Sequence, residues 1–520
     1  MVESAKNYWE EEQGIFPSSK VGKFLFALCF PGDYSLGMTN LGYQSIIRLL
    51  FEAPDWRGER FFCEYGSRSL ESGLPLNSFD MIGFNFSFEL DILNLLSLLQ
   101  EGGIPLFARD RKEKDPWVIS GGPAATLNPE ILAPFMDLIV IGEAEEIFPL
   151  ILALWKEGEE KGKSREEKKK ILGNIPGVYI PGGVKPLYQG GELQGFEAEE
   201  GFSFPVKRQW VDINEFETRT FIYTPFSYFQ GASLVEVSRG CRYHCSFCAG
   251  RNIYHPLRNR SLELIEKMID HVSPWSDKIG LVGADLLSHP ALEEIIKYVF
   301  KKNKKLTFSS LSALSLVRKK NLGELFCEGE VETITLAPES GSFPARMVLG
   351  KGLSNEEWID LIKELLEQGI KRIKLYFMLG KPEGGVEEDL EFLTKLVARI
   401  KNPQQVLVSY SFLIPKPHTA LSDWRTPSIR DWEREKRIWE RGLGKLKIPF
   451  SGESPRLAWI QLLLARGDRL IGEKIPQLLS HPHPWSFRAW QSLLGELGRD
   501  DEWVRSPWRN VKPWQVVDMG

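Results

Sequence analysis

Three of the six cysteines fall within eight positions, Cys241, Cys245 and Cys248 in the run SRGCRYHCSFCAG, with the spacing C-x3-C-x2-C. Chance placement gives such a spacing roughly once in a thousand chains of this length, so the run reads as a ligand set. Three thiolates on one loop can hold three irons of a 4Fe-4S cluster and leave the fourth iron open to a substrate or cofactor. A zinc ion would want a fourth ligand, and His244 inside the run and His255 beyond it keep that alternative open. Cys29, Cys63 and Cys327 stand alone and read as buried small apolar residues.

The cysteine run closes the first of six strand patterns, LVEVSR, KIGLVGA, KLTFSS, VETITLAP, IKRIKLYFM and QVLVSYSFL, with helical patterns such as SLELIEKMIDHV between them. This rhythm predicts a partial (β/α)6 barrel with the cysteines at the carboxyl end of its first strand. Upstream, strand patterns at 23–30, 59–65, 80–86, 116–122 and 137–143 alternate with amphipathic stretches. They predict an α/β, doubly wound, Rossmann-like domain. Ligands of such sheets sit beyond the carboxyl ends of the strands, which selects Tyr34, Ser87, Gly121, Gly122, Pro123, Gly142 and Glu143. The chain divides into a Rossmann-like domain at 1–160, a linker and hairpin at 161–230, the barrel at 231–425 and a helical, tryptophan-rich region at 426–520. The charge-dense stretch at 156–170 reads as a helix end or a solvated linker.

Sixty-five Lys and Arg against 70 Asp and Glu, a net charge of -5, is too even for a dedicated nucleic-acid binder. The last hundred residues carry 17 basic and 13 acidic side chains, a weak excess, and their tryptophans at helical spacing read as packing residues. RNA binding is therefore disfavoured. No apolar run is long enough to span a bilayer and the acidic start does not resemble a signal peptide, so a cytoplasmic location without membrane contact is expected.

Beyond the cysteines, the runs TLAPESGS followed by Arg346 and KG, IKLYFMLGKPE, FLIPKPHT and LLARGDR resemble successive signatures of radical S-adenosylmethionine (SAM) proteins fused to an N-terminal cobalamin-binding-type domain. The resemblance spans about residues 23–469. It implies that Cys241, Cys245 and Cys248 ligate a 4Fe-4S cluster whose open iron chelates SAM, with Phe247 near the adenine. Gly283 and Asp285 occupy the place of the family's Gly-Gly-Glu run, from which GLVGADLL departs. Ser309, Ser310, Glu339, Ser340, Lys374 and Tyr376 are the remaining SAM-binding residues implied. The turn SGGP at 120–123 and GEAEE at 142–146 resemble cobalamin modules, yet Asp-x-His-x-x-Gly is missing and no histidine precedes His244. The implied activity is reductive SAM cleavage, with cobalamin-dependent methyl transfer to an unactivated carbon of an unknown substrate and an electron donor such as flavodoxin or ferredoxin. The alternatives are a cobalamin-independent reaction, methylthiotransferase-like or a rearrangement, and RNA modification. A methylthiotransferase needs three cysteines in its N-terminal domain, and only Cys29 and Cys63 are present there.

Overall fold

The computed structural model describes residues 8–15, 22–318, 322–508 and 511–520. They form two compact units, 1–231 with 463–500 and 508–520, and 232–462 with 501–507.

In the first unit the wholly apolar run FLFALCF forms β1 (Phe24–Phe30), as a strand covered on both faces requires. Its sheet also contains β2 (Trp56–Phe62), β3 (Met81–Asn85), β4 (Trp117–Gly121), β5 (Leu138–Val140) and β6 (Val178–Tyr179), in the order β2-β1-β3-β4-β5-β6. Every pair is parallel except β5 with β6. The winding reverses between β1 and β3, which opens a crevice at their carboxyl ends. Helices α1 (Leu41–Glu52) and α2 (Ile92–Glu101) follow β1 and β3, and α3 (Ile147–Glu160) follows β5. Phe26, Leu28, Tyr43, Ile47, Phe62 and Phe148 fill the core on one side of the sheet.

The second strand begins at Trp56, ahead of the expected 59–65, and Cys63–Tyr65 is a 3-10 turn. Charged residues hide this strand. Arg60 is buried between Glu12 and Glu71, its Nη2 2.7 Å from Glu12 and its Nε 2.6 Å from Glu71, so it occupies a core position as an ion-paired group. The charge-dense stretch is likewise no simple solvated linker. It ends α3 and then forms α4 (Arg165–Leu172), which buries Arg165 over the ring of Trp117, 4.9 Å from its centroid. There Asp137 accepts from Arg165 at 2.8 Å, from Arg111 at 3.0 Å and from the Val118 amide at 2.9 Å. The expected hairpin is Val184–Gln189 paired with Glu192–Ala198, just after β6.

The second unit repeats strand and helix six times. Its strands are β7 (Ser233–Glu236), β8 (Lys278–Val282), β9 (Lys305–Phe308) continued by β10 (Ser310–Leu311), β11 (Thr333–Glu339), β12 (Arg372–Leu379) and β13 (Val406–Phe412), with a short β14 (Phe450–Gly452) beside β13. All are parallel, and a bend at Ser309 divides the sheet into three and five strands. This is the expected partial barrel. Along β11, β12 and β13 burial alternates, with Ile334, Leu336, Ile373, Leu375, Val406 and Val408 buried and the residues between them half-buried. Helices α5 (Leu262–Val272), α6 (Leu292–Lys301), α7 (Asn355–Glu367), α8 (Val386–Val397) and α9 (Ile429–Lys445), with the short helices Ala313–Arg318 and Leu322–Glu328 between β10 and β11, supply the crossovers.

The chain from 426 onward is largely helical. Trp432, Trp439, Trp459 and Trp490 are buried there, so these rings pack helices and offer no stacking faces. Among the described residues no helix is long and apolar enough to cross a membrane. Cys29 is buried as expected, while Cys63 and Cys327 are partly exposed.

Candidate functional site

The cysteine loop leaves the barrel through the two-residue strand Ser238–Arg239, which pairs with Arg258–Asn259. Gly240 follows with φ +89, and a side chain there would meet the carbonyls of Tyr254 and Pro256 at 2.6 and 2.8 Å. Only glycine permits this approach. Two other loops grip the cysteine loop. The Ser246 amide donates to the Leu349 carbonyl at 3.4 Å, the Leu421 amide donates to the Ser246 carbonyl at 3.1 Å, and Gly350, with φ +80, lies where a Cβ would be 3.1 Å from the Cys245 Cα. Phe247 packs on the cluster of Leu349, Met378 and Leu413.

All three thiols are partly exposed. Burial pushes Cys241 up to about 11, with Asp285 and the thiols of Cys245 and Cys248 adding to the effect. Burial also raises Cys245, against the opposing pull of Lys351. Among the described residues no three His, Cys, Asp or Glu side chains converge tightly enough to hold one metal ion. Three thiols carried by one loop are a soft donor set that fits three irons of a 4Fe-4S cluster.

Glu339 ends β11 beside this loop. Its backbone is left-handed at φ +64, a strained conformation for a side chain of this size, and its carboxylate is 3.5 Å from Lys351. Burial raises its pKa while Lys351 and Lys381 oppose the rise. Lys351 also lies 5.9 Å from the Phe247 ring centroid. The structure therefore brings Glu339 and Phe247 to the cysteines and adds Lys351, which the sequence reading passed over although it stands in the quoted KG run.

Asp285 lies just beyond β8 with a fully buried side chain, 2.9 Å from Arg242 Nε of the cysteine loop. Burial raises its pKa in spite of the arginine. Gly283 packs so closely on Ser238 that a Cβ would be 2.5 Å from its Oγ. Ser309 is exposed at the bend, and Ser310 opens β10 with its side chain outside the described ones. Ser340 is not free to bind a ligand. Its hydroxyl donates to Asp389 at 2.7 Å and accepts from the Ser342 amide at 3.0 Å. Lys374 and Tyr376 share the half-buried face of β12.

In the first unit the expected strand-end residues separate. Tyr34 is buried, stacked on Tyr8 at 4.3 Å and donating its hydroxyl to Glu12, so it presents nothing to a ligand. Gly142 and Glu143 are covered by a later segment of the same unit. A Cβ on Gly142 would lie 2.2 Å from the Gln209 carbonyl, the Glu143 amide donates to that carbonyl, and the Glu143 carboxylate accepts from the Val211 amide. Gly122, at φ +114, abuts the Phe86 carbonyl, so enlarging it would disturb the strand end itself. Ser87 remains at the crevice between β1 and β3, half-buried with Asn85 and Asn40, as do Gly121 and Pro123 beyond β4. The neighbouring Leu36 and Phe88 are 44% and 40% exposed.

Residues 235–393 match the family described as the radical SAM superfamily, and residues 42–181 match the N-terminal region of radical SAM proteins. An uncharacterized protein of Methanocaldococcus jannaschii is 24% identical over 93% of this chain and 98% of its own length. An uncharacterized methyltransferase of Pyrococcus horikoshii is 23% identical over 61% of this chain and 62% of its own. The solved structure of the cobalamin-dependent S-adenosylmethionine radical enzyme OxsB, with aqua-cobalamin and S-adenosylmethionine bound, has a similar fold. Its TM-score is 0.53 at 16% identity, over 91% of this chain and 70% of that one.

Proposed function

Because this chain belongs to the radical SAM proteins, we propose that it cleaves SAM reductively at a 4Fe-4S cluster held by Cys241, Cys245 and Cys248 and transfers a methyl group with the help of cobalamin. The observation that carries the reading is the three-thiol loop gripped beside the buried Glu339 and its partner Lys351. When bound, the cluster supplies one electron to the sulfonium of SAM, which divides into methionine and a carbon radical able to abstract hydrogen. Phe247 would lie against the adenine. Glu339 would accept hydrogen bonds from SAM, and its burial keeps competing water away. Lys351 holds that carboxylate in place. Arg242, held by Asp285, fixes the first turn of the loop. A redox protein of the flavodoxin or ferredoxin kind would deliver the electron.

The test is anaerobic reconstitution with iron and sulfide, reduction, and chromatography for 5′-deoxyadenosine. Its formation from SAM supports the reading, and its absence from protein with an intact cluster sinks it. In the same assay Glu339→Gln should retain the cluster but cleave SAM about 10- to 100-fold more slowly, the range expected for a lost charge-assisted hydrogen bond. An unchanged rate would remove Glu339 from the site.

A corrin in the first unit is supported by the crevice between β1 and β3, its small and polar rim at Asn40, Asn85, Ser87 and Gly121, and the exposed Leu36 and Phe88 beside it. The fold likeness to OxsB, solved with aqua-cobalamin, points the same way. When bound, cobalamin supplies a methyl carrier. No histidine precedes His244, so residues 1–231 cannot offer imidazole to cobalt. Ser87→Trp should abolish corrinoid retention, read from visible absorbance after gel filtration, while the iron content stays unchanged. Undiminished retention would move the corrin elsewhere.

A further inference from the structure

The half-buried face of β11, β12 and β13 carries Thr335, Lys374, Tyr376, Ser409 and Ser411. Register places Lys374 between Thr335 and Leu407, and Tyr376 beside Ser409. The Lys374 ammonium lies 5.0 Å from the centroid of the Tyr376 ring. Among the described residues no carboxylate stands within ion-pair distance of it. The Ser409 hydroxyl accepts from that of the neighbouring Ser451 at 3.3 Å. A cation half withdrawn from water, on a strand face that also carries hydroxyls, and lacking a counter-charge, gains most from an anion that it can hydrogen-bond.

Lys374 also sits apart from the SAM-facing group. Glu339 pairs with Phe377, three residues farther along β12 than Lys374 and about 10 Å by strand rise. SAM contacts gathered at Glu339, Lys351 and the cysteine loop leave this lower part of the strand face for another molecule. We propose that it binds a carboxylate or phosphate group of the substrate, with Lys374 supplying the charge and the Tyr376 and Ser409 hydroxyls supplying hydrogen bonds. The inference rests on the enzyme reading above and names the substrate class that reading leaves open, an acid or a phosphorylated compound.

The test is reductive methylation of the lysines of the full chain, followed by peptide mass spectrometry, with inorganic phosphate, acetate or SAM as separate probes. Phosphate or acetate should slow labelling of Lys374 at least fivefold and saturably, leaving the exposed Lys395 unaffected. The probe that protects at lower concentration identifies the favoured anion. SAM alone should give no protection. Equal labelling with and without both anions overturns the proposal, as does protection by SAM alone, which would return Lys374 to the SAM carboxylate. The readout does not depend on turnover. Protection without SAM cleavage would leave the anion site standing and sink the enzyme reading, whereas cleavage without protection would do the reverse.

Discussion

A variant with Cys241, Cys245 and Cys248 all replaced by alanine should bind no 4Fe-4S cluster and lose SAM cleavage by at least ~10³-fold, down to the rate without protein. The loss should be complete because the three thiols are the whole soft donor set of this loop. Cys29 is buried in the first unit, and Cys327 is held by a contact to the Gln368 carbonyl at 3.1 Å. Neither can substitute, nor can the solitary Cys63 in the 3-10 turn after β2. Iron analysis and the absorbance of the reconstituted protein check the first half, and deoxyadenosine formation checks the second. Retention of about four irons per chain would locate the cluster elsewhere. Because residues 240–248 belong to no helix or strand, far-UV circular dichroism should show little change, which separates loss of the cluster from loss of the fold.

Asp137→Ala should be the most damaging single change to stability in the first unit, at about 3–5 kcal/mol, because it strands two buried arginines without their shared counter-charge. Urea unfolding followed by tryptophan fluorescence is the measurement, with Trp117 beneath Arg165 as a local reporter. A loss below about 1 kcal/mol, the range of exposed pairs, would mean that water reaches the cluster. The acid dependence has a definite sign. Arg111 and Arg165 hold the Asp137 carboxyl below its ordinary range against the opposing effect of burial. The folded value is thus lower than the unfolded value of about 3.9. The contribution of Asp137 is present above that unfolded value and is lost as pH falls through the folded one, so it should be flat from about pH 5 to 8 and fade only in strong acid.

What the sequence disclosed depended on whether a residue acts through local pattern or through distant partners. The apolar runs of β1, β3, β4 and β5 were legible because burial of both faces leaves a continuous apolar signature, and β11, β12 and β13 because a buried face alternates with a half-buried one. The strand Trp56–Phe62 was displaced because Arg60 enters the core with its own counter-ions, Glu12 lying 48 positions away. Similarly, Gly142 and Glu143 look like open strand-end residues until Gln209 and Val211 return to cover them, and Ser340 looks available until Asp389 claims its hydroxyl. Residue type shows what chemistry a side chain can do. Its tertiary partner decides whether that capacity is already used, and for Lys351 a partner rather than a pattern reveals the role.

The grip on the cysteine loop constrains how the protein can diverge. Leu349 and Gly350 come from one connection of the barrel and Leu421 from another, and each meets the backbone of Ser246 or Cys245 rather than a replaceable side chain. Backbone contacts tolerate exchange of residue type but not of length. Descendants that keep the three-cysteine spacing can therefore vary the chemistry of these two connections, yet insertions or deletions near 349–350 or 421 must arise together with a compensating change in the cysteine loop.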